Sequence, residues 1–140
     1  MLGNITNSIY WKKILGNIEA GQDGTKVAGD AIDARGYDRA LIILELGEVT
    51  ANGKVALQIQ ESSNGTDFTD ITGAGFAATT ATDKSDDTIM IDVPVTKGYL
   101  RYQYQRTTAN VEFDALQVAL YNSKKIPVTQ NADVWKEIVI

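Results

Sequence analysis

The stretch YLRYQYQR, Tyr99 to Arg106, sets Leu100, Tyr102 and Tyr104 against Tyr99, Arg101, Gln103 and Gln105. Successive side chains of an extended chain point to opposite faces, so this reads as a strand with one apolar and one polar face. The same period of two recurs along most of the sequence. In DRALIILELG, Asp38 to Gly47, Ala40, Ile42, Leu44 and Leu46 share one side, and Leu41, Ile43 and Glu45 the other. KVALQIQE, Lys54 to Glu61, separates Val55, Leu57 and Ile59 from Ala56, Gln58 and Gln60. DTIMIDV (Asp87 to Val93) and VEFDALQVALY (Val111 to Tyr121) continue the pattern, the latter with Leu116, Val118 and Leu120 on one face. Shorter runs, KVAGDAID (Lys26 to Asp33), DFTDIT (Asp67 to Thr72) and the N-terminal NSIYWKKIL, read as strands too.

Gly, Asn and Asp punctuate these runs, and no segment carries a convincing helical stripe. Only NADVWKEIVI at the end has the makings of one helical turn, capped by Asn131 or Asp133, with a strand as the equal alternative. Pro94 and Pro127 fall at run ends, where strands accept them. The pattern predicts an all-β, single-domain β-sandwich of jelly-roll type, with roughly eight strands and extended N- and C-terminal arms. GAGFAATTATDKSDD, Gly73 to Asp87, has little apolar bulk and reads as a long surface loop.

Composition narrows the chemistry. The 140 residues include neither Cys nor His. Disulfides, thiol catalysis and zinc–thiolate sites are excluded, and the usual general base and commonest metal ligand are missing together. The net charge of −5, from 13 basic and 18 acidic residues, opposes binding to phosphate backbones. No apolar run approaches the ~20 residues of a membrane span. The opening MLGNITNSIYWKKILGNIEAG is a poor signal peptide, with Lys12 and Lys13 inside it, which fits a chain made and folded in a cytoplasm.

The expectation is therefore no enzyme, no catalytic residue, no cofactor and no metal. Glu45 and Glu48 lie near one strand end, as a glycosidase pair would, but nothing around them marks either as an acid. DKSDD, Asp83 to Asp87, lacks the spacing and the closing Glu of an EF-hand and reads as a solvated loop. SSNGTDF, Ser62 to Phe68, reads as a hairpin connection in which Asn64 and Gly65 supply positive φ. Asn64-Gly65-Thr66 and Asn4-Ile5-Thr6 match glycosylation sequons, here as chance matches. The best binding surface on periodicity is the face bearing Tyr99, Arg101, Gln103 and Gln105, since Tyr and Arg are common interface anchors.

Four segments stand in order: GYDRALIILELGEV (Gly36 to Val49), LQIQESSNGTDFTDI (Leu57 to Ile71), GYLRYQYQ (Gly98 to Gln105) and ALQVALYNSKKIP (Ala115 to Pro127). This series resembles a family of small tailed-bacteriophage head proteins with a GYDSA strand, a QESDDGTTFTDV hairpin, a KRYVR strand and a last strand ending in proline. The resemblance covers roughly Asp23 to Pro127. GYLRYQY departs from KRYVR, and the first residues have no counterpart. The resemblance implies a jelly-roll capsid decoration (cement) protein. Such a protein binds the outside of an expanded head as a homotrimer and bridges major capsid subunits. Its place is the outer capsid surface of the virion, after assembly in the host cytoplasm, with no nucleic acid or membrane as partner. Alternatives are a carbohydrate-binding or adhesin module on a virion, taking a surface glycan around Tyr99, Gln103 and Tyr121, and a head–tail joining protein.

Two further expectations concern surfaces. Strand faces apolar on both sides, such as Leu41 and Ile43 opposite Ile42 and Leu44, leave more apolar surface than one core needs, which favours self-association. Both ends are bulky: Tyr10, Trp11, Ile14 and Leu15 at one, Val134, Trp135, Ile138, Val139 and Ile140 at the other. The chain divides accordingly into an N-terminal arm or edge strand (1–22), the sandwich (23–127) and a C-terminal tail (128–140) packing on its own or a neighbouring subunit. The candidate interface residues are Tyr10, Trp11, Tyr99, Arg101, Gln103, Trp135 and Ile138.

Overall fold

The computed structural model describes residues 4–125 and 128–131. A 3-10 turn, Ile5–Asn7, precedes ten strands. They are β1 (Tyr10–Leu15), β2 (Ile18–Gly21), β3 (Val27–Ala28), β4 (Ile32–Asp33), β5 (Tyr37–Val49), β6 (Lys54–Ser62), β7 (Thr69–Thr80), β8 (Thr88–Pro94), β9 (Tyr99–Thr107) and β10 (Val111–Ser123). Sheet A runs β1-β10-β5-β8, with β2 also on β10; sheet B runs β3-β9-β6-β7, with β4 also on β9. Every pairing is antiparallel.

Since β5 takes one side of β10, β1 and β2 must share the other, and they behave as one interrupted strand. The same logic makes β3 and β4 one interrupted strand along β9. What remains is eight strand positions in two four-stranded sheets. Only β6–β7 joins neighbours within a sheet; every other connection crosses between the sheets. That is the jelly-roll arrangement predicted from the alternation. No helix among the described residues is long and apolar enough to cross a membrane.

The alternating apolar residues meet between the layers as expected. Ile42, Leu44 and Leu46 of β5, Leu57 and Ile59 of β6, and Leu100, Tyr102 and Tyr104 of β9 are all buried. Phe113 is fully buried, with its ring 4.9 Å from that of Tyr104 in an edge-to-face contact. Each such side chain contributes about 1.5–3 kcal/mol by leaving water. In β10 the inward residues change parity: Val111 and Phe113, then Leu116, Val118 and Leu120. The change requires an extra residue, and the β10–β5 register shifts between Phe113 and Ala115.

Gly73–Asp87 is not one long loop. Gly73 to Thr80 belong to β7, and only the stretch from Ala81 onward connects to β8. A small-residue strand needs little bulk of its own when a neighbour supplies the ladder. Phe76 packs on the core, and Ala74 and Ala81 are buried. Opposite Ile59, β7 bulges over residues 71–74, with Gly73 at φ +81. Gln58 fills the bulge, its Nε2 donating to the carbonyls of Ile59 (2.8 Å) and Ile71 (2.9 Å). Such a bulge also blunts β7 as an edge strand.

Candidate functional site

The β6–β7 connection is a hairpin whose loop is wider than a two-residue turn. Gly65 alone takes positive φ, at +76. Asn64 acts through its side chain instead: Oδ1 accepts from the Ser62 hydroxyl and from the Thr66 and Asp67 amides, each at 2.9 Å. Its Nδ2 donates to Asp67 Oδ2 at 2.8 Å, and Ser62 Oγ accepts from the Asn64 and Gly65 amides. The tip is cross-linked by its own side chains, as in a loop built to hold itself.

Tyr99, Arg101, Gln103 and Gln105 line the outer face of sheet B, opposite the buried Leu100, Tyr102 and Tyr104. Much of this face is occupied internally. The Arg35 guanidinium lies 5.0 Å over the Tyr99 ring. Arg101 sits 4.4 Å over Phe68, and its Nε donates to Gln60 Oε1 at 2.6 Å. Gln60 is held in turn by Asp70, 2.7 Å from its Nε2. Gln105 Nε2 donates to the Asp23 carbonyl. Beside them lies an open groove of about 400 Å³, lined among others by Lys26, Gln58, Asp70, Phe76 and Gln103. Its polar groups are mainly amides, with one ammonium and one carboxylate, suited to hydrogen bonding rather than to bond breaking.

Tyr121 is not part of this face. It stands on β10 in sheet A, where its hydroxyl donates to Asp92 Oδ2 at 2.5 Å and accepts from Arg39 Nε at 3.0 Å. Sequence order brought Tyr121 and Tyr99 together; the two-layer fold sets them on opposite sheets. Asp92 is the first cause holding the Tyr121 hydroxyl above the usual phenol range.

The outer face of sheet A is the more apolar one. Cross-strand register aligns Trp11, Ala119, Leu41 and Asp92 in one row, and Lys13, Gln117, Ile43 and Met90 in the next. Trp11 and Met90 are 39% and 64% exposed. Tyr10 points the other way, packing on the core with its ring 6.3 Å from Tyr37. Of the sequence-derived anchors, the fold therefore places Tyr10 and Trp11 on opposite faces of β1, and Tyr99, Arg101 and Gln103 on sheet B. Trp135 and Ile138, and the turn expected around Asp133, lie outside the described residues. Asn131 caps no described helix; its Nδ2 donates to the Trp11 carbonyl.

Glu45 and Glu48 do not converge. Glu45 accepts from Gln117 at 3.4 Å, whereas Glu48 meets Glu112 through its own backbone amide. Among the described residues no group of His, Cys, Asp or Glu could hold a metal ion. The DKSDD stretch is tied to the end of β5 instead: the Val49 amide donates to Ser85 Oγ, and the Asp86 amide to the Gly47 carbonyl.

Sequence reasoning missed one pair that organises this end of the molecule. Arg106 is buried in β9 on the core-facing side, and Asp23 receives its Nε at 2.8 Å and Nη2 at 3.0 Å. Nη1 donates to the carbonyls of Glu19 and Val111. The pair fastens the chain after β2 to β9 and β10. The signal was present in the alternation itself, which puts Arg106 in line with Leu100, Tyr102 and Tyr104.

No protein-family model matches this chain, and no curated protein does. Among solved structures, a chain of the structure of infectious bursal disease virus Gx strain is similar. The TM-score is 0.53 at 10% identity, over 85% of this chain and 33% of that one. The likeness is one of fold. This chain spans about a third of the length of the chain it matches.

Proposed function

We propose that this chain is a virion structural protein, a decoration (cement) protein on the outer surface of an expanded bacteriophage head. The observation that carries the reading is the complete jelly-roll strand order, a fold shared with a chain of a virus structure. The four-motif resemblance to tailed-phage head proteins agrees with it. A protein that binds only the expanded lattice stabilises that lattice by its binding free energy, repeated over many sites. That task calls for a stiff β scaffold with broad faces and no reaction centre, and for a net negative charge that keeps clear of DNA. In this reading the chain is not an enzyme, its partners are the major capsid protein and two further copies of itself, and it bridges neighbouring capsid subunits.

The test is to add purified chain to heads lacking it, before and after expansion. Saturable binding to expanded heads alone, with raised thermal resistance, is expected, as is a trimer by sedimentation. Equal binding to both head forms, or none to either, would reject the decoration role. A monomer at all concentrations together with no threefold density on heads would reject the trimer.

The sheet B groove supports a second reading, a saccharide-binding module on a virion. Lys26 and Gln103 face that groove with no side-chain hydrogen bond or ion pair to another described residue. Glycan titration followed by NMR would show shifts centred on Gln103; an unchanged spectrum across a broad glycan panel removes this reading.

A further inference from the structure

Each sheet of the sandwich ends in two edges, where backbone N–H and C=O groups lack a neighbouring strand. Folded proteins blunt such edges with short strands, bulges, charges, proline or a covering segment. Of the edges here, β1 shifts register between Lys13 and Leu15, and its outward groups at Trp11 are taken by the side chains of Gln130 and Asn131. β3 and β4 are only two residues each. β7 shifts register twice against β6. β8 has no such device before its final proline. It runs seven residues in unbroken register with β5, and its one charged residue, Asp92, is engaged by Arg39 Nε at 3.1 Å and by the Tyr121 hydroxyl.

The hydrogen bonds at the two ends of β8 fix which groups are free. The Leu46 amide donates to the Asp87 carbonyl and the Val95 amide to the Asp38 carbonyl, each at 2.9 Å. In an antiparallel pair alternate residues turn both backbone groups toward the same neighbour. Ile89, Ile91 and Val93 therefore face β5, and Thr88, Met90 and Asp92 face outward, where none of their backbone groups is hydrogen-bonded to a described residue. Met90, 64% exposed, stands at the middle of this run. On the inner face Ile89 and Ile91 pack on the core yet stay only half-buried, and Ile89 lines an open groove of about 430 Å³ with Leu46, Val55 and Phe76. The core is thus uncovered along the same edge whose backbone is unpaired.

We infer that β8 pairs with β8 of a second copy, antiparallel about a two-fold axis at Met90. The register is self-complementary, as an isologous contact requires. Thr88 falls opposite Asp92 of the second copy and Met90 opposite its own counterpart, so every outward N–H meets a carbonyl. Pro94, with no N–H, ends the pairable stretch. Ile89 falls opposite Ile91 of the second copy, and each half-covered core edge closes over the other. Charge selects the antiparallel sense. Parallel strands would set Asp86 and Asp87 against their own copies, whereas antiparallel strands bring them beside the end of β8 that carries Arg39 and Lys97. The contact is two-fold, so it is separate from the threefold assembly proposed above, and where both form it links copies of different trimers.

The absence of cysteine makes the test clean. Met90→Cys and Thr88→Cys, both at exposed positions, are made singly in the full chain and oxidised under mild conditions after circular dichroism confirms the fold. Across the two-fold axis the Met90 Cα atoms stand about 5.5 Å apart, within disulfide range. The Thr88 Cα atoms are offset by four residues, roughly 13 Å, and cannot be bridged. Met90→Cys is expected to form a disulfide-linked dimer at least about tenfold faster than Thr88→Cys. Amide exchange at Thr88 and Asp92, followed by NMR, should slow as the parent is concentrated and stay fast in Met90→Lys, which sets two like charges on the axis. Equal oxidation rates, which a parallel or non-specific contact would give, no dimer from Met90→Cys, or amide exchange independent of concentration in the parent would overturn the inference. No head particle is needed, so the decoration reading stands or falls separately.

Discussion

At the scale of single residues, the Asp23–Arg106 pair sets the response to acid. Burial pushes the Asp23 carboxyl up, but the side-chain and backbone hydrogen bonds from Arg106 and its charge together outweigh burial and hold it below 3.8. A carboxylate depressed in the folded state stabilises the fold above its unfolded value, near 3.9. That contribution is lost as pH falls from about 4 through the folded value. Removing one partner leaves the other buried and uncompensated, at a cost of about 3–5 kcal/mol. Asp23→Ala should therefore lower the urea midpoint sharply at pH 7 and flatten its dependence between pH 7 and pH 3. A variant as acid-sensitive as the parent would show that other carboxylates dominate. Gly75 is a second such residue: a Cβ there would stand 2.4 Å from the Leu57 carbonyl oxygen, a backbone atom that cannot swing aside. Gly75→Ala should cost about 1–3 kcal/mol, as overpacking does, read as a lowered thermal midpoint with unchanged strand signal.

Elements show where local sequence speaks and where it falls silent. The strands β5, β6, β9 and β10 were legible because half-buried sheet faces force strict alternation, and the structure buries the predicted side. The end of β7 was not, because GAGFAATT derives its strand character from pairing with β6 rather than from its own bulk. The hairpin was recognisable from Asn64-Gly65, but the role of Asn64 was not: the pattern pointed to a dihedral, and the residue works as a hydrogen-bond hub. Asn64→Ala should accordingly destabilise by about 1–2 kcal/mol, comparable to losing a helix cap. Asn64→Asp should fare no better, since it trades a donor to Asp67 for a like charge at the same place. If urea unfolding finds Asn64→Asp as stable as the parent, the donor to Asp67 is dispensable. The N-terminal strand makes a further case. Tyr10, Ile14 and Leu15 pack on the core while β1 pairs with β10 from Tyr10 to Leu15. Deleting Met1 to Asn17 should expose the β10 edge and give a protein that unfolds at lower urea or aggregates; a truncated chain as stable as the full one would show that β1 is only an appendage.

For the molecule as a whole, the two outer faces divide the work. Sheet A is the more apolar of the two, with Trp11, Ala119, Leu41, Ile43 and Met90 aligned across its outer face. Sheet B keeps its outer face polar, with Tyr99 and Arg101 held rigid by Arg35 and Phe68, and with Gln103 and Lys26 turned to the groove. Rigid aromatic and guanidinium anchors beside available donors make a surface that loses little conformational freedom on binding. The site was half legible from sequence: alternation picked out Tyr99, Arg101 and Gln103, but strand pairing, which brings Lys26, Asp70 and Phe76 beside them, belongs to topology. If the protein decorates heads, sheet B is the face that should dock. Gln103→Cys coupled to a polyethylene glycol maleimide is then expected to abolish binding to expanded heads. The same label on Ile5→Cys, exposed and remote in sequence from sheet B, should leave binding intact. Heads saturated equally by both labelled proteins would move the docking surface off sheet B to the strand edges or the loops at the ends of the sandwich.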